Sequence, residues 1–210
     1  MQLKADVFGT ITREGAIVCR DTRRARPWAK WLARHLARRE ARALRALRGV
    51  HGVPSLIDFD GYSLRRSWMD GEPMHRAHPR DPAYFQAAFG LLRRLHHARV
   101  AHNDLAKEPN WLVTPGGEPA LVDFQLALVS RRRSRLFRAL ARDDIRHLLK
   151  HKRTYCPQRL TAREKRILAT PSVVSRIWRA TGKKAYLFVT RRIFGWADRE
   201  GAGDRRFGRE

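Results

Sequence analysis

Residues 110–124, NWLVTPGGEPALVDF, admit few folds. Two short apolar arms, 111–114 and 120–122, flank Pro115-Gly116-Gly117-Glu118, which is turn chemistry, so the segment is expected to close as a β-hairpin. With Thr114 paired to Pro119 or its neighbour, counting back along both arms sets Asn110 opposite Asp123. Two oxygen-bearing side chains then meet at the open end of one ribbon. Such oxygens are hard ligands of the kind Mg²⁺ takes, alongside waters and substrate phosphates. Asp104, in the loop leading to the first arm, adds a third group within a few residues of the same point.

Helical and strand periodicities surround this ribbon. After Pro27, which suits a first helical turn, WAKWLARHLARREARALRAL predicts a long helix with Trp28, Leu32, Leu36, Leu44 and Leu47 on one stripe. Glu40, four residues from both Leu36 and Leu44, shares that stripe, and a carboxylate there needs a cation. Upstream, LKADVFGTITREGAIVCRDT reads as two or three strands broken at Gly9 and at Arg13-Glu14-Gly15; LIDFDGYSLRRSWM reads as two more around Asp60-Gly61. The polar, Pro-rich DGEPMHRAHPRDP then marks a boundary between a first lobe, 1–70, and a second, 71–210. In the second, YFQAAFGLLRRLHHARV predicts an amphipathic helix with Phe85, Phe89, Leu92 and Leu95 inward, and from about Ser130 the chain is mostly helical and basic. The expected class is α+β.

Composition narrows the partners. The chain has 210 residues, 43% of them apolar, enough for a buried core, so disorder is not expected. No run approaches the ~18 to 20 apolar residues of a membrane span, and MQLKADVF has no apolar leader, so a cytoplasmic protein is expected. Only Cys19 and Cys156 occur, which gives neither a disulfide framework nor a Cys-based zinc site. The net charge of +25 calls for a polyanionic partner: nucleotide, nucleic acid or an anionic membrane face. RRRSRLFRALAR and SRIWRATGKKAYLFVTRRIFGW interleave cations with aromatic residues, which suits a solvated helix face, a nucleic-acid track or a peripheral position at the inner face of a membrane. The clustering of Tyr186 to Val189 with Ile193, Phe194 and Trp196 favours the membrane over nucleic acid.

His102-x-Asp104, then Asn110 leading one strand and Asp123-Phe124 ending the next, resembles the catalytic loop and metal motif of the protein-kinase superfamily. LLRRLHHARVAHNDL looks like the helix and loop of RIO-type and other small bacterial kinases, and Val7-Phe8-Gly9-Thr10-Ile11 like the end of a glycine-rich loop. The resemblance covers roughly residues 4–150 and implies a bilobed protein-kinase-like fold: a small sheet lobe with one long helix and a mainly helical second lobe. It implies ATP and Mg²⁺ as cofactors. Asp104 would take the proton of the attacking hydroxyl, Lys107 would neutralise charge on the phosphoryl group, and Asn110 and Asp123 would hold the metal. Gly9 would approach the nucleotide. Glu40 would pair with the cation of the third strand, for which Arg20 is in place, or Lys4 or Lys30 would supply an ammonium instead. His102 would support the loop, and Asp144 would brace it from a helix start.

The sequence departs from the family pattern at several positions. Arg20 stands in place of a lysine, five residues separate Asp104 from Asn110 where the motif has four, Gln125 replaces the glycine of D-F-G, and no A-P-E follows. Three functions are consistent with these residues. The first is an atypical RIO-like serine/threonine protein kinase with a hydroxyl-bearing protein acceptor. The second is a sugar or lipid-sugar kinase, like those of lipopolysaccharide (Kdo) core assembly or the aminoglycoside phosphotransferases, with a glycolipid or sugar acceptor. The third is a pseudokinase or nucleic-acid-binding scaffold.

Overall fold

In the computed structural model, which describes residues 1–170, five strands from the first third of the chain form one antiparallel sheet. They are β1 (Gln2–Asp6), β2 (Gly9–Glu14), β3 (Ile17–Asp21), β4 (Leu56–Phe59) and β5 (Ser63–Ser67), in the order β1-β2-β3-β5-β4. Asp60 closes the β4–β5 turn: its Oδ1 accepts from the N–H groups of Tyr62 and Ser63 at 2.8 and 2.7 Å. Gly9 opens β2 with φ 120°, and a Cβ there would stand 2.1 Å from the Asp21 carbonyl oxygen. The sheet itself therefore demands glycine at that position.

Helix α1 (Lys30–Ala46) follows a single 3-10 turn at Pro27–Ala29. Its buried residues are Ala33, Ala37, Glu40, Ala41, Ala43 and Leu44, and Leu47 is buried just beyond it. Leu32 and Leu36 are only half-buried, and Trp28 is 52% exposed, which corrects the expected stripe. Repeated steps of four drift around a helix of 3.6 residues per turn. The observed 33, 37, 40, 44, 47 alternates fours and threes and so keeps to one face. Alanines on that face let α1 approach closely, and it packs against the turn Phe124–Leu126.

The remaining elements supply the larger core. They are β6 (Glu72–Pro73), α2 (Met74–Ala77), α3 (Pro82–His97), β7 (Val100–Ala101), β8 (Trp111–Val113), β9 (Pro119–Leu121), β10 (Leu128–Val129), α4 (Arg135–Tyr155) and α5 (Ala162–Ala169). Asp81 caps α3 by accepting from the N–H of Ala83, and Ser134 caps α4 by accepting from that of Phe137. β6, β8 and β9 form one small sheet, and β7 with β10 another. Phe85, Leu92 and Leu95 of α3 meet Trp111, Leu121 and Phe124 in a single buried cluster. The described fold is thus mixed α and β, as expected.

The chain divides into two units, Met1–Leu168 and Ala169–Glu210, and every element that positions the site belongs to the first. The apolar residues expected to face a membrane, Tyr186 to Val189, Ile193, Phe194 and Trp196, lie outside the described residues. Among the described residues, no helix is long and apolar enough to cross a membrane.

Candidate functional site

The hairpin forms, one residue out of the expected register. Trp111 pairs with Leu121, Leu112 with Ala120 and Val113 with Pro119. Thr114 N–H donates to the Glu118 carbonyl at 2.9 Å, and Gly117 N–H donates back to the Thr114 carbonyl at 2.8 Å. The loop therefore has three residues ending in Gly117 at φ 78°, the left-handed position that a three-residue hairpin requires. Counting back now sets Asn110 against Val122, whose N–H donates to the Asn110 carbonyl at 3.1 Å. Asp123 leaves the strand in a left-handed conformation, φ 63° and ψ 70°, so strand alternation no longer sets its direction.

The Asp104 carboxylate is held from two sides. Asn110 Nδ2 donates to its Oδ2 at 3.1 Å and to its backbone carbonyl at 2.9 Å, and Lys107 Nζ lies 3.1 Å from the same Oδ2. The buried His102 ring ties the loop to the ribbon, with Nε2 3.0 Å from the Val122 carbonyl. Facing a carbonyl, that nitrogen donates, and Nδ1 is buried with no hydrogen-bond partner among the described residues. His102 thus links the loop to the ribbon in this arrangement. Val122 bonds to both Asn110 and His102, which brings the Asp104 loop to the strand end that precedes Asp123.

Helix α4 grips the same loop twice. Asp144, 1% exposed, accepts from the backbone N–H groups of His102 and Asn103 at 2.8 and 2.9 Å, and its Oδ2 lies 3.1 Å from His96 Nε2. Asn103 is held at φ 63° between them. Two turns further along α4, His151 Nε2 donates to the Leu105 carbonyl at 2.8 Å, and Tyr155 donates to Glu108 Oε2 at 2.8 Å. Burial pushes the His151 imidazole down from its usual value, against the pull of the Leu105 carbonyl and Glu108, and burial beside Lys150 brings His147 down to about 4. Glu108 belongs to the five-residue stretch that is one longer than the kinase motif, and its bond to Tyr155 anchors that stretch to the helix.

Glu40, fully buried, lies between two guanidinium groups: Arg20 Nε at 3.4 Å and Arg66 Nε at 3.1 Å. The contacts are ionic, because neither carboxylate oxygen has an aligned hydrogen bond among the described residues. Sequence reasoning named Arg20 and missed Arg66. The signal was there: Arg66 stands two residues from the fully buried Leu64 in β5, on the same face of the strand. Lys4 is drawn to Asp6 at 3.2 Å on the exposed edge strand.

Asn110 and Asp123 suit a hard divalent cation by donor type. The Asn110 amide nitrogen is committed to Asp104, which leaves its Oδ1 available. Gln125 Nε2 donates to Asp123 Oδ1 at 2.7 Å, which leaves Oδ2. Two protein oxygens are a sufficient share for Mg²⁺ bound with substrate phosphates and water. Among the described residues, no group of three or more His, Cys, Asp or Glu side chains forms a cage that would hold a metal by protein ligands alone. Two grooves, of about 420 Å³ beside β4 and about 320 Å³ between α3 and α4, are lined by other residues. No family model matches the chain, and no curated protein is similar enough to match it.

Proposed function

We propose that the chain is an ATP-dependent phosphotransferase with a bilobed protein-kinase-like fold, its lobes 1–70 and 71–210, and that it acts as an atypical RIO-like serine/threonine protein kinase. One observation carries the reading: Asp104 is fixed by Lys107 and Asn110 in a loop that is bonded, through Val122, to the strand end bearing Asp123. The buried Glu40 beside Arg20 of β3 supports it independently. Asp104 Oδ1, which has no hydrogen bond or ion pair among the described residues, would orient the acceptor hydroxyl and take its proton. Lys107 would screen the transferred group, and Arg20 would face the nucleotide phosphates with the part of its fork that Glu40 does not engage. Asn110 and Asp123 would hold Mg²⁺, which when bound neutralises charge between the phosphates. Gly9 would bring the β1–β2 turn against the nucleotide.

A sugar or lipid-sugar kinase is the second reading. It is favoured by the short path from Asp123 to α4, which begins at Arg135 and leaves only Phe124–Leu126, β10 and a basic loop between them. That path is too short for the peptide-docking platform of large eukaryotic kinases.

The test is Mg²⁺-dependent ATP turnover by the full chain against Asp104→Ala and Asp123→Ala. Both variants should lose at least ~10²-fold, the usual weight of a positioned acid–base group, with circular dichroism unchanged. Labelled phosphate on the chain itself selects the protein kinase, and label only on added glycolipid or sugar selects the second reading. Wild-type chain that turns over no ATP leaves the scaffold reading in its place, and turnover indifferent to Asp104→Ala would refute the role given to Asp104.

A further inference from the structure

The groove between α3 and α4, about 320 Å³, is separate from the Asp104 cluster and has a distinctive lining. Arg138 and Arg142 stand four residues apart on α4 and form a like-charged pair, and Arg93 of α3 faces the same groove across a floor of Phe137, Ala141 and Ile145, with His97 beside it. Arg133, from the loop before α4, joins the rim with Nη2 3.4 Å from His97 Nδ1. Among the described residues, no carboxylate lines the groove. The nearest on α4 are engaged elsewhere: Asp144 with His96 and two backbone N–H groups, and Asp143 with His147 at 3.8 Å. Arg93, Arg138 and Arg142 have no ion-pair partner among the described residues.

A pair of like charges four apart on a helix costs a few tenths of a kcal/mol, and here the Arg138–Arg142 pair shares one concavity with Arg93 and Arg133. A bound anion reverses that repulsion. The arginine fork matches the oxygens of a phosphate in pairs, and a dianion draws on several forks at once. The size of the groove, at the low end of the ~300 to 1,000 Å³ usual for ligand sites, suits one compact group. Nucleic acid fits less well, because Phe137, the one Phe, Tyr or Trp among the lining residues, is 3% exposed and packed perpendicular to the His96 ring, so it offers little face for a base to stack on.

We propose that this groove binds a phosphate monoester, at a site distinct from the proposed nucleotide centre and independent of whether that centre is active. The monoester comes either from a soluble metabolite or from a lipid headgroup, and two probes with the same headgroup separate these sources: sn-glycerol 3-phosphate, and vesicles of phosphatidylcholine containing phosphatidic acid.

Binding of each probe to the full chain is measured by calorimetry or co-sedimentation at fixed salt, without nucleotide or Mg²⁺. Arg138→Gln/Arg142→Gln should weaken binding at least about tenfold, since two charge-assisted contacts are lost. Arg93→Gln, on the opposite wall, should weaken it in the same sense. Arg38→Gln/Arg42→Gln removes the same charge from the exposed face of α1 and should change binding less than about twofold, as expected for remote charges that salt screens. Loss confined to glycerol 3-phosphate identifies a metabolite site, and loss confined to phosphatidic acid identifies a lipid site. Equal weakening by the two double variants would reduce the effect to net charge and overturn the proposal. So would binding of a single-stranded oligonucleotide that depends on Arg138 and Arg142 while neither monoester probe binds.

Discussion

Replacing Asp144 by alanine tests how the Asp104 loop is held. The carboxylate is 1% exposed and accepts from two backbone N–H groups, His102 at 2.8 Å and Asn103 at 2.9 Å, with His96 Nε2 at 3.1 Å. Hydrogen bonds to a charged group are worth ~1.5 to 3 kcal/mol each, and an orphaned buried donor costs about 1 to 3 kcal/mol. The three bonds share one acceptor group and do not add in full, so the expected destabilisation is ~3 to 5 kcal/mol, the range for breaking one side of a buried charged network. Asp144→Asn keeps one carbonyl oxygen for the backbone donors and should lose only about half as much. Equilibrium urea unfolding measures both, as a shift of midpoint at constant slope. Amide exchange at His102 and Asn103 supplies the local readout, and both should lose protection in the alanine variant. A loss below ~1 kcal/mol, or unchanged exchange at these two amides, would refute the bracing role.

Two further outcomes follow from the same reasoning. Glu40→Ala strands the nearly buried Arg20 and Arg66 without a counter-charge and should cost about 3 to 5 kcal/mol in chemical unfolding, whereas replacing all three by apolar residues of similar volume should recover most of it; a loss under ~1 kcal/mol would mean that water reaches the site. Burial, with Lys150 nearby, holds His147 near 4 against its usual 6.5, so below 6.5 the unfolded chain takes up a proton that the folded chain refuses. The stability tied to His147 is full above that value and is lost as pH falls toward 4, ~3 kcal/mol in all, with His151 shifted in the same direction. Urea midpoints from pH 7 to pH 4 should track this loss and flatten in His147→Gln, and a wild-type profile without the slope would contradict it.

Local chemistry made much of this legible. The turn residues at 115–118 announced the ribbon, the carboxylate among apolar neighbours announced the buried Glu40, and the Asp60-Gly61 turn separated β4 from β5. The hairpin register was harder to read, because a four-residue and a three-residue loop both fit the same turn residues. What decides between them is Gly117 in the left-handed region, a backbone fact that composition does not carry. The inner face of α1 was misread for a different reason: leucines are conspicuous, but alanines pack where two elements approach closely. The grip of α4 on the loop was legible only in part. Asp144 was expected at a helix start, but α4 begins nine residues earlier at Arg135 and Asp144 reaches the loop from the middle of the helix; the His151 and Tyr155 contacts join residues more than forty apart and leave no periodic trace.

Asp144 and His151 are seven residues apart on α4, two turns along one face, and they hold residues 102–103 and 105 on either side of Asp104. The loop therefore rides on the helix like a blade set in a handle. The rim arginines 138 and 142 are mounted on that same handle. The backbone of α4 is thus the common mount of two groove arginines and of the contacts that flank Asp104.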